Sequence, residues 1–223
     1  MNYSMIIYIL GHLLRYEALF MILPIVTGWI YQEKESYAFV GVALLAYLIG
    51  TIMTRRRPKS AKFYTRDGSV TVALGWIVLS IFGALPFVCC GDIPSYIDAL
   101  FETISGFTTT GASILTDVEA LSHASLMWRS FTHWVGGMGV FVFILSLLPM
   151  LGGFTMQLMK AESPGPSVDK FVPKVKDTAK ILYSLSIVVT LTQIIMLLLT
   201  GMPVFDTLTL TLSLIHISEP TRP

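Results

Sequence analysis

Residues 102–117, ETISGFTTTGASILTD, place three threonines and a glycine in a row inside a chain that is otherwise strongly apolar. The four residues are Thr108 to Gly111, and hydrophobic segments lie on both sides of them. A glycine among small hydroxylated residues favours a main chain that leaves helical geometry. What such a stretch does depends on whether the surrounding chain crosses a membrane.

The composition is that of a membrane protein. Of 223 residues, 54% are apolar and 13% are charged, with a mean hydropathy of +0.71; an ordinary soluble domain carries about 25% charged residues. A membrane-crossing helix needs about 20 apolar residues. Four uncharged segments have about that length or more, which predicts an all-α protein that crosses the membrane several times: 36–54, 71–90, 134–159 and 181–205. The net charge of +1 gives no indication of nucleic-acid binding, and Cys89 and Cys90 are expected to be packing residues.

The first apolar segment contains two charges, Arg15 and Glu17. Either the start of the chain lies in the membrane interface with Arg15 reaching toward water, or both charges face protein rather than lipid. We favour the interfacial start and count this segment as one span. With the span at 36–54, it makes a two-helix membrane domain over 1–66.

Loop charges predict the orientation. Region 91–127 contains five acidic residues and no lysine or arginine. The basic residues that follow 36–54 and precede 181–205 belong on the cytoplasmic side by the positive-inside rule, and they are Arg55, Arg56, Arg57, Lys59, Lys62, Arg66, Lys160, Lys170, Lys174, Lys176 and Lys180. This places 91–127 outside and the N-terminus in the cytoplasm.

Residues 95–106, SYIDALFETISG, predict a short helix that enters the membrane and turns back. Its apolar residues follow a helical stripe, Ile97, Leu100, Phe101 and Ile104. Pro94 and Ser95 fit its start, Gly106 fits its end, and Asp98 and Glu102 are expected on its polar side. Twelve helical residues extend about 18 Å, which is roughly half a bilayer.

The stretch 108–112 follows this helix directly, and two interpretations are open. Irregular main chain at membrane depth is tolerated where it is buried in protein or lines a water-filled cavity. The stretch could aim carbonyl oxygens at a dehydrated cation, at the partially negative end of the preceding helix. Alternatively, it is an outer turn that caps the next span.

A second copy of this pattern favours the cation filter. The span ending at Cys90-Gly91 is followed by a proline, an aromatic residue, an aspartate and a leucine, and so is the span ending at Thr200-Gly201. The matched pairs, with a one-residue slip, are Pro94 and Pro203, Tyr96 and Phe205, Asp98 and Asp206, and Leu100 and Leu208. A pore needs such repetition, and a capping turn does not.

Five motifs in order resemble one transport family: ALPF (84–87), SGFTTTGAS (105–113), WRSFTHWVGGMGV (128–140), LPMLGG (148–153) and KAESPGP (160–166). The chain resembles the TrkH-type potassium-uptake subunits of the Trk/Ktr/HKT superfamily over residues 1 to 211. The resemblance implies a K⁺ filter with one glycine per repeat, here Gly111. Carbonyls of Thr109, Thr110 and Gly111 would then face K⁺, with Thr108 and Ala112 flanking them.

The resemblance also implies the setting of the protein. Family members lie in the bacterial inner membrane as homodimers, each subunit with its own pore, and a cytosolic nucleotide-binding ring called TrkA gates them. No organic cofactor is expected in this chain. The predicted organisation is the domain at 1–66, a first pore repeat at 67–159, a cytoplasmic loop at 160–180, the start of a second repeat at 181–211 and a tail at 212–223. Within the first repeat we expect a span at 71–90, the re-entrant helix at 95–106, the filter at 108–112 and a span at 128–159.

The second span of that repeat contains three glycines, Gly136, Gly137 and Gly139. They either allow close helix packing or keep this helix thin or bendable beside the filter. Arg129 fits an interface anchor, or it repels cations near the outer mouth. His123 and His133 are expected to be interfacial polar residues, and Pro86 and Pro149 to tilt or kink their helices.

The last twelve residues, LSLIHISEPTRP, depart from the family pattern and resemble a translated sequencing adapter, so 212–223 is expected to be non-native. Family members have four pore repeats, and this polypeptide is expected not to conduct alone. A K⁺ channel and an H⁺- or Na⁺-coupled symporter both fit the family. A membrane-embedded enzyme using Ser105 or Ser113 is the rival of another class, although the four uncharged spans contain no acid. A purely structural subunit is the third alternative.

Overall fold

The structure is a computed structural model that describes residues 2–55, 58, 65–139 and 175–214. These ranges form helices joined by turns, with no strand among them. The described helices are α1 (Tyr3–Phe20), α2 (Ile22–Ile30), α3 (Ser36–Thr54), α4 (Thr65–Cys90), α5 (Tyr96–Phe107), α6 (His123–Gly137), α7 (Val175–Leu199) and α8 (Val204–Leu214).

Within the described ranges, three stretches are long and apolar enough to cross a membrane, and they are Tyr3–Ile30, Ser36–Thr54 and Arg66–Cys90. The predicted span at 36–54 is confirmed as α3, and the span at 71–90 begins earlier, at Thr65. In the first stretch α1 and α2 are separated only by Met21. Pro24 has no N–H to donate to the Phe20 carbonyl, so the regular helix is interrupted there.

Two glycines bring α1 and α3 into close contact. A Cβ on Gly50 would lie 2.6 Å from the Gly11 carbonyl oxygen, and a Cβ on Gly11 would lie 2.9 Å from the Gly50 carbonyl oxygen. Small residues commonly allow main chains to approach in this way between membrane helices. The N-terminal helix is therefore packed into the bundle, where Met5, Ile9 and Leu13 share a cluster with Phe107.

The two charges of α1 both face protein, so the preferred interfacial start was wrong. The Arg15 guanidinium lies over the Tyr47 ring, 5.3 Å from its centroid. Glu17 is 1% exposed, and a Cβ added at Gly83 of α4 would lie 3.1 Å from its Oε1. Neither Glu17 carboxyl oxygen has a hydrogen-bond partner among the described residues.

Glu17→Met in the full-length protein is expected to raise the melting temperature. The substitution keeps the approximate volume and removes an unpartnered buried polar group, whose desolvation costs about 1–3 kcal/mol. Glu102→Met is the matched control, because Glu102 is equally buried but fully hydrogen-bonded, and it is expected to lower the melting temperature. Thermal unfolding in detergent measures both, and a lowered value for Glu17→Met would contradict an unpartnered carboxyl in the full-length protein.

The short helix predicted at 95–106 is confirmed as α5. Ser95 caps its start by accepting a hydrogen bond from the Asp98 amide, and the helix ends at Phe107, one residue beyond Gly106. Before it the chain turns at Gly91, which has a φ of +88°. The helix has its polar side inside, however: Glu102, Thr103 and Ser105 are buried, whereas Ile97, Phe101 and Ile104 are exposed.

The second helix of the first repeat differs from the predicted span at 128–159. α6 begins at His123, where Ser122 accepts a hydrogen bond from the Ser125 amide, and it ends at Gly137. Gly139 follows with a φ of +71°, a conformation that interrupts a helix. Residues 140–174, and with them most of the predicted loop 160–180, lie outside the described residues.

The start of the predicted second repeat has the same order of elements as the first. α7 covers most of the span predicted at 181–205, and Gly201 then turns the chain with a φ of +84°, close to that of Gly91. The short helix α8 follows and continues to Leu214, three residues past the predicted boundary at Thr211. The remaining tail, 215–223, lies outside the described residues.

Candidate cation filter

The five predicted filter residues form one irregular segment at the C-terminal end of α5. The chain folds back on the helix end: the Thr109 amide donates to the Gly106 carbonyl and the Thr110 amide to the Ser105 carbonyl, each at 3.0 Å. The last carbonyls of α5 thereby bind the start of the segment. The segment then leaves the helix axis at Thr110.

Two residues of the segment have left-handed main chain. Gly111 has a φ of +76°, as its glycine allows, and Thr109 has a φ of +57°. A β-branched residue in this region is an outlier, and strain of this kind is found mainly at functional sites. The left-handed conformation of Thr109 therefore indicates that contacts with surrounding residues, and not the conformational preference of threonine, determine the main-chain path of this segment.

The hydrogen bonds of the segment separate its outer carbonyls from its central ones. The Thr108 carbonyl accepts from the Thr109 hydroxyl at 2.7 Å, and the Ala112 carbonyl accepts from the Ser105 hydroxyl at 2.5 Å. Among the described residues, the carbonyls of Thr110 and Gly111 accept no hydrogen bond. Carbonyls without protein donors, as at Thr110 and Gly111, are what cation coordination requires.

A buried carboxylate holds the chain that follows the predicted filter segment. Glu102 of α5 is 1% exposed and accepts from the Ser113 hydroxyl, the Ile114 amide and Arg129 Nε of α6. Glu102 lies on the polar side of α5, as predicted, but this side faces protein. The placement of Arg129 as an interface anchor was wrong, because its guanidinium is paired with the buried Glu102. Their Nε–Oε1 distance is 2.5 Å, and the Arg129 side chain is 11% exposed.

The α6 glycines differ from one another. A Cβ on Gly136 would meet the main chain of Phe107, including its carbonyl oxygen, so this glycine packs directly against the residue that precedes Thr108. Gly137 is exposed at the helix end, and Gly139 adopts a left-handed conformation beyond it. A second close contact joins the same helices, since a Cβ on Gly106 would meet the Thr132 hydroxyl.

The two histidines of the region have different surroundings. His133 is 1% exposed, with Nδ1 2.9 Å from the Arg129 carbonyl, so its placement at the interface was wrong. His123 is half-buried at the N-terminal end of α6, stacked on Tyr31 with its Nδ1 2.7 Å from Glu33. Glu33 also accepts from the His123 and Ala124 amides, so the α2–α3 turn caps α6.

One side of the filter segment is open. Thr108 and Thr110 are exposed, and Thr109, Gly111 and Ala112 are half-buried. Within the described ranges, no group of three histidine, cysteine or acidic residues is placed to hold a metal ion. The oxygen atoms of the segment itself are main-chain carbonyls and threonine hydroxyls.

A family model described as TrkH, cation transport protein, matches residues 35–215. The chain belongs to the TrkH family. The Trk system potassium uptake protein TrkH of Salmonella typhimurium (strain LT2) is 39% identical over 211 residues, which cover 92% of this chain and 43% of that protein. The Escherichia coli (strain K12) protein TrkG, also named a Trk system potassium uptake protein, is 35% identical and covers 88% of this chain and 41% of TrkG.

The fold agrees with a solved member of the TrkH family. The crystal structure of the potassium transporter TrkH from Vibrio parahaemolyticus superposes with a TM-score of 0.77 at 31% identity, over 96% of this chain and 43% of that chain. The present chain thus spans less than half the length of the TrkH proteins it matches. It is a multi-pass membrane protein of a transporter family, as the sequence predicted.

Proposed function

We propose that the full-length protein carrying this sequence takes up K⁺ across the bacterial inner membrane, as the pore-forming subunit of a Trk system. One observation carries the proposal: the irregular segment Thr108–Ala112 follows a short helix, with left-handed main chain at Thr109 and Gly111 and with both flanking carbonyls hydrogen-bonded. The names of the relatives support K⁺ as the transported ion.

In this proposal the segment is one of four that surround the ion. Carbonyls of Thr109, Thr110 and Gly111 replace part of the hydration shell of K⁺. Gly111 lets the main chain turn toward the ion without a Cβ, and Thr108 and Ala112 hold the two ends of the segment. The other three segments lie in the part of the full-length protein that this chain does not contain, on the open side of Thr108 and Thr110.

The setting follows from the same proposal. The N-terminus and the basic loops face the cytoplasm, and the region 91–127 faces outward. The full-length protein assembles as a homodimer, and its cytoplasmic side binds a nucleotide-binding ring of the TrkA type. The basic residues of the loops are the groups we expect to contact that ring.

The full-length protein is expected to restore growth at low K⁺ to a bacterial host that lacks K⁺ uptake but retains the cytosolic regulator. Residues 1–223 alone are expected to give no growth and no Rb⁺ uptake, because a single filter segment leaves unpaired main-chain groups facing lipid. Membrane levels of both proteins are measured by immunoblot. Growth supported by residues 1–223 alone would contradict a four-segment pore within one subunit, and failure of a membrane-inserted full-length protein would contradict K⁺ uptake.

A further inference from the structure

The ion pair between Glu102 and Arg129 joins three parts of the chain beside the proposed filter: α5, α6 and the irregular segment Ala112–Leu115, called the exit segment below. Arg129 Nε donates to Glu102 Oε1, the Ser113 hydroxyl lies 3.0 Å from both carboxylate oxygens, and the Ile114 amide donates to Oε2 at 3.2 Å. The Ser113 hydroxyl also accepts from the Leu115 amide at 3.1 Å. Both carboxylate oxygens are therefore fully engaged.

A second contact from α5 holds Ala112, the first residue of the exit segment. Ser105 lies three positions after Glu102, on the same face of α5, and its hydroxyl donates to the Ala112 carbonyl at 2.5 Å. The three consecutive residues after Gly111 are thus each bound to α5. These hydrogen bonds fix the position of the exit segment relative to α5.

Burial makes the Glu102 contacts directional and strong. Glu102 is 1% exposed, so its hydrogen bonds form where water does not compete and where the ion pair is screened little. Arg129 compensates the carboxylate charge, which a buried acid requires. The geometry of the exit segment therefore depends on the presence of both charges rather than on local chain preference.

We propose that Glu102 and Arg129 are positioning residues that set the cation selectivity of the filter by fixing the exit segment. The inference rests on the proposed K⁺ filter and adds to it the groups that hold the Gly111 carbonyl in place. Glu102 binds the exit segment directly, and Arg129 acts through Glu102. Neither residue contacts the transported ion.

The first test is Glu102→Gln in the full-length protein. An amide keeps the shape of the carboxyl but offers one acceptor oxygen, so either the Ile114 amide or Arg129 Nε faces an NH₂ group. We expect the preference for K⁺ over Na⁺ in competition uptake to fall about tenfold, the loss typical of one hydrogen bond to a charged group. Asp98→Asn is the matched control, because it removes the same charge one helical turn earlier on α5 and is expected to leave the preference unchanged.

The double variant Glu102→Gln with Arg129→Gln separates positioning from folding. It removes both charges, so no uncompensated charge stays buried, and we expect the melting temperature to recover toward wild type. The exit segment still lacks its carboxylate acceptor, so the preference for K⁺ over Na⁺ is expected to stay low. A double variant that recovers both stability and K⁺ preference would overturn the proposal and make the pair purely structural.

Hydrogen exchange distinguishes this inference from the proposed function. The amides of Ile114 and Leu115 are expected to exchange faster in Glu102→Gln and in the double variant than in Asp98→Asn, whatever ion is transported. Unchanged exchange at these amides would overturn the positioning role. If the wild-type protein shows no preference for K⁺ while the Glu102 variants still exchange faster, the K⁺ filter and its selectivity are overturned. The contact between Glu102 and the exit segment is established all the same.

Discussion

Gly111→Ala in the full-length protein is expected to reduce the preference for K⁺ over Na⁺ about tenfold or more. Gly111 has a φ of +76°, and an alanine there costs about 1–2 kcal/mol in the left-handed region. The chain relieves this strain by rotating the peptide units on either side. Those units carry the Thr110 and Gly111 carbonyls, so the oxygens proposed to face K⁺ move, and a change of about 1.4 kcal/mol in relative affinity is tenfold.

The control for this result is Gly91→Ala. Gly91 has a similar φ of +88°, and a Cβ there meets nothing within 4 Å, so its substitution adds comparable strain in the turn before α5. Both variants are expected to lower the melting temperature by similar amounts, while the cation preference falls for Gly111→Ala alone. An unchanged preference in Gly111→Ala would support the alternative that the threonine-rich stretch is an outer turn.

The sequence was sufficient where local patterns determine the structure. Absence of charge over 36–54 defined α3, and Ser95 and the helical stripe defined α5, because capping and periodicity depend on neighbouring residues. The conformation of Gly111 was likewise expected from its residue type. These are properties of a few consecutive residues, and no distant contact is needed to infer them.

The contacts that the sequence did not reveal are distant pairs. Arg129 and Glu102 are 27 positions apart, and Glu33 and His123 are 90 apart. The orientation of α5 also differs from that of a soluble helix, since in a membrane the apolar stripe has no reason to face inward and polar groups seek partners there. Glu102 lies in an apolar region, 91–127, that contains no lysine or arginine. Because a buried carboxylate requires a partner, this setting could have indicated a distant partner for Glu102.

Gly136→Ala is expected to lower both the melting temperature and K⁺ uptake. The added Cβ would lie 2.7 Å from the Phe107 carbonyl carbon and 2.9 Å from its Cα, so main chain must move rather than a flexible side chain. Overpacking typically costs about 1–3 kcal/mol, and a contact with main chain belongs at the upper end. Phe107 precedes Thr108, so its displacement is transmitted to the filter segment. Thermal unfolding and Rb⁺ uptake of the full-length protein measure the two effects.

Gly41→Ala and Gly137→Ala are the matched control substitutions for Gly136→Ala. Gly41 lies in α3 with nothing within 4 Å of an added Cβ, so alanine there is expected to stabilise the helix by about 0.5–1 kcal/mol. Gly137 is exposed at the end of α6, and its substitution is expected to have little effect if the α6 glycines act by close packing. Equal damage from Gly136→Ala and Gly137→Ala would instead favour a bendable helix beside the filter. The direct contact between Gly136 and Phe107 supports packing, since it depends on one glycine rather than on the flexibility of several.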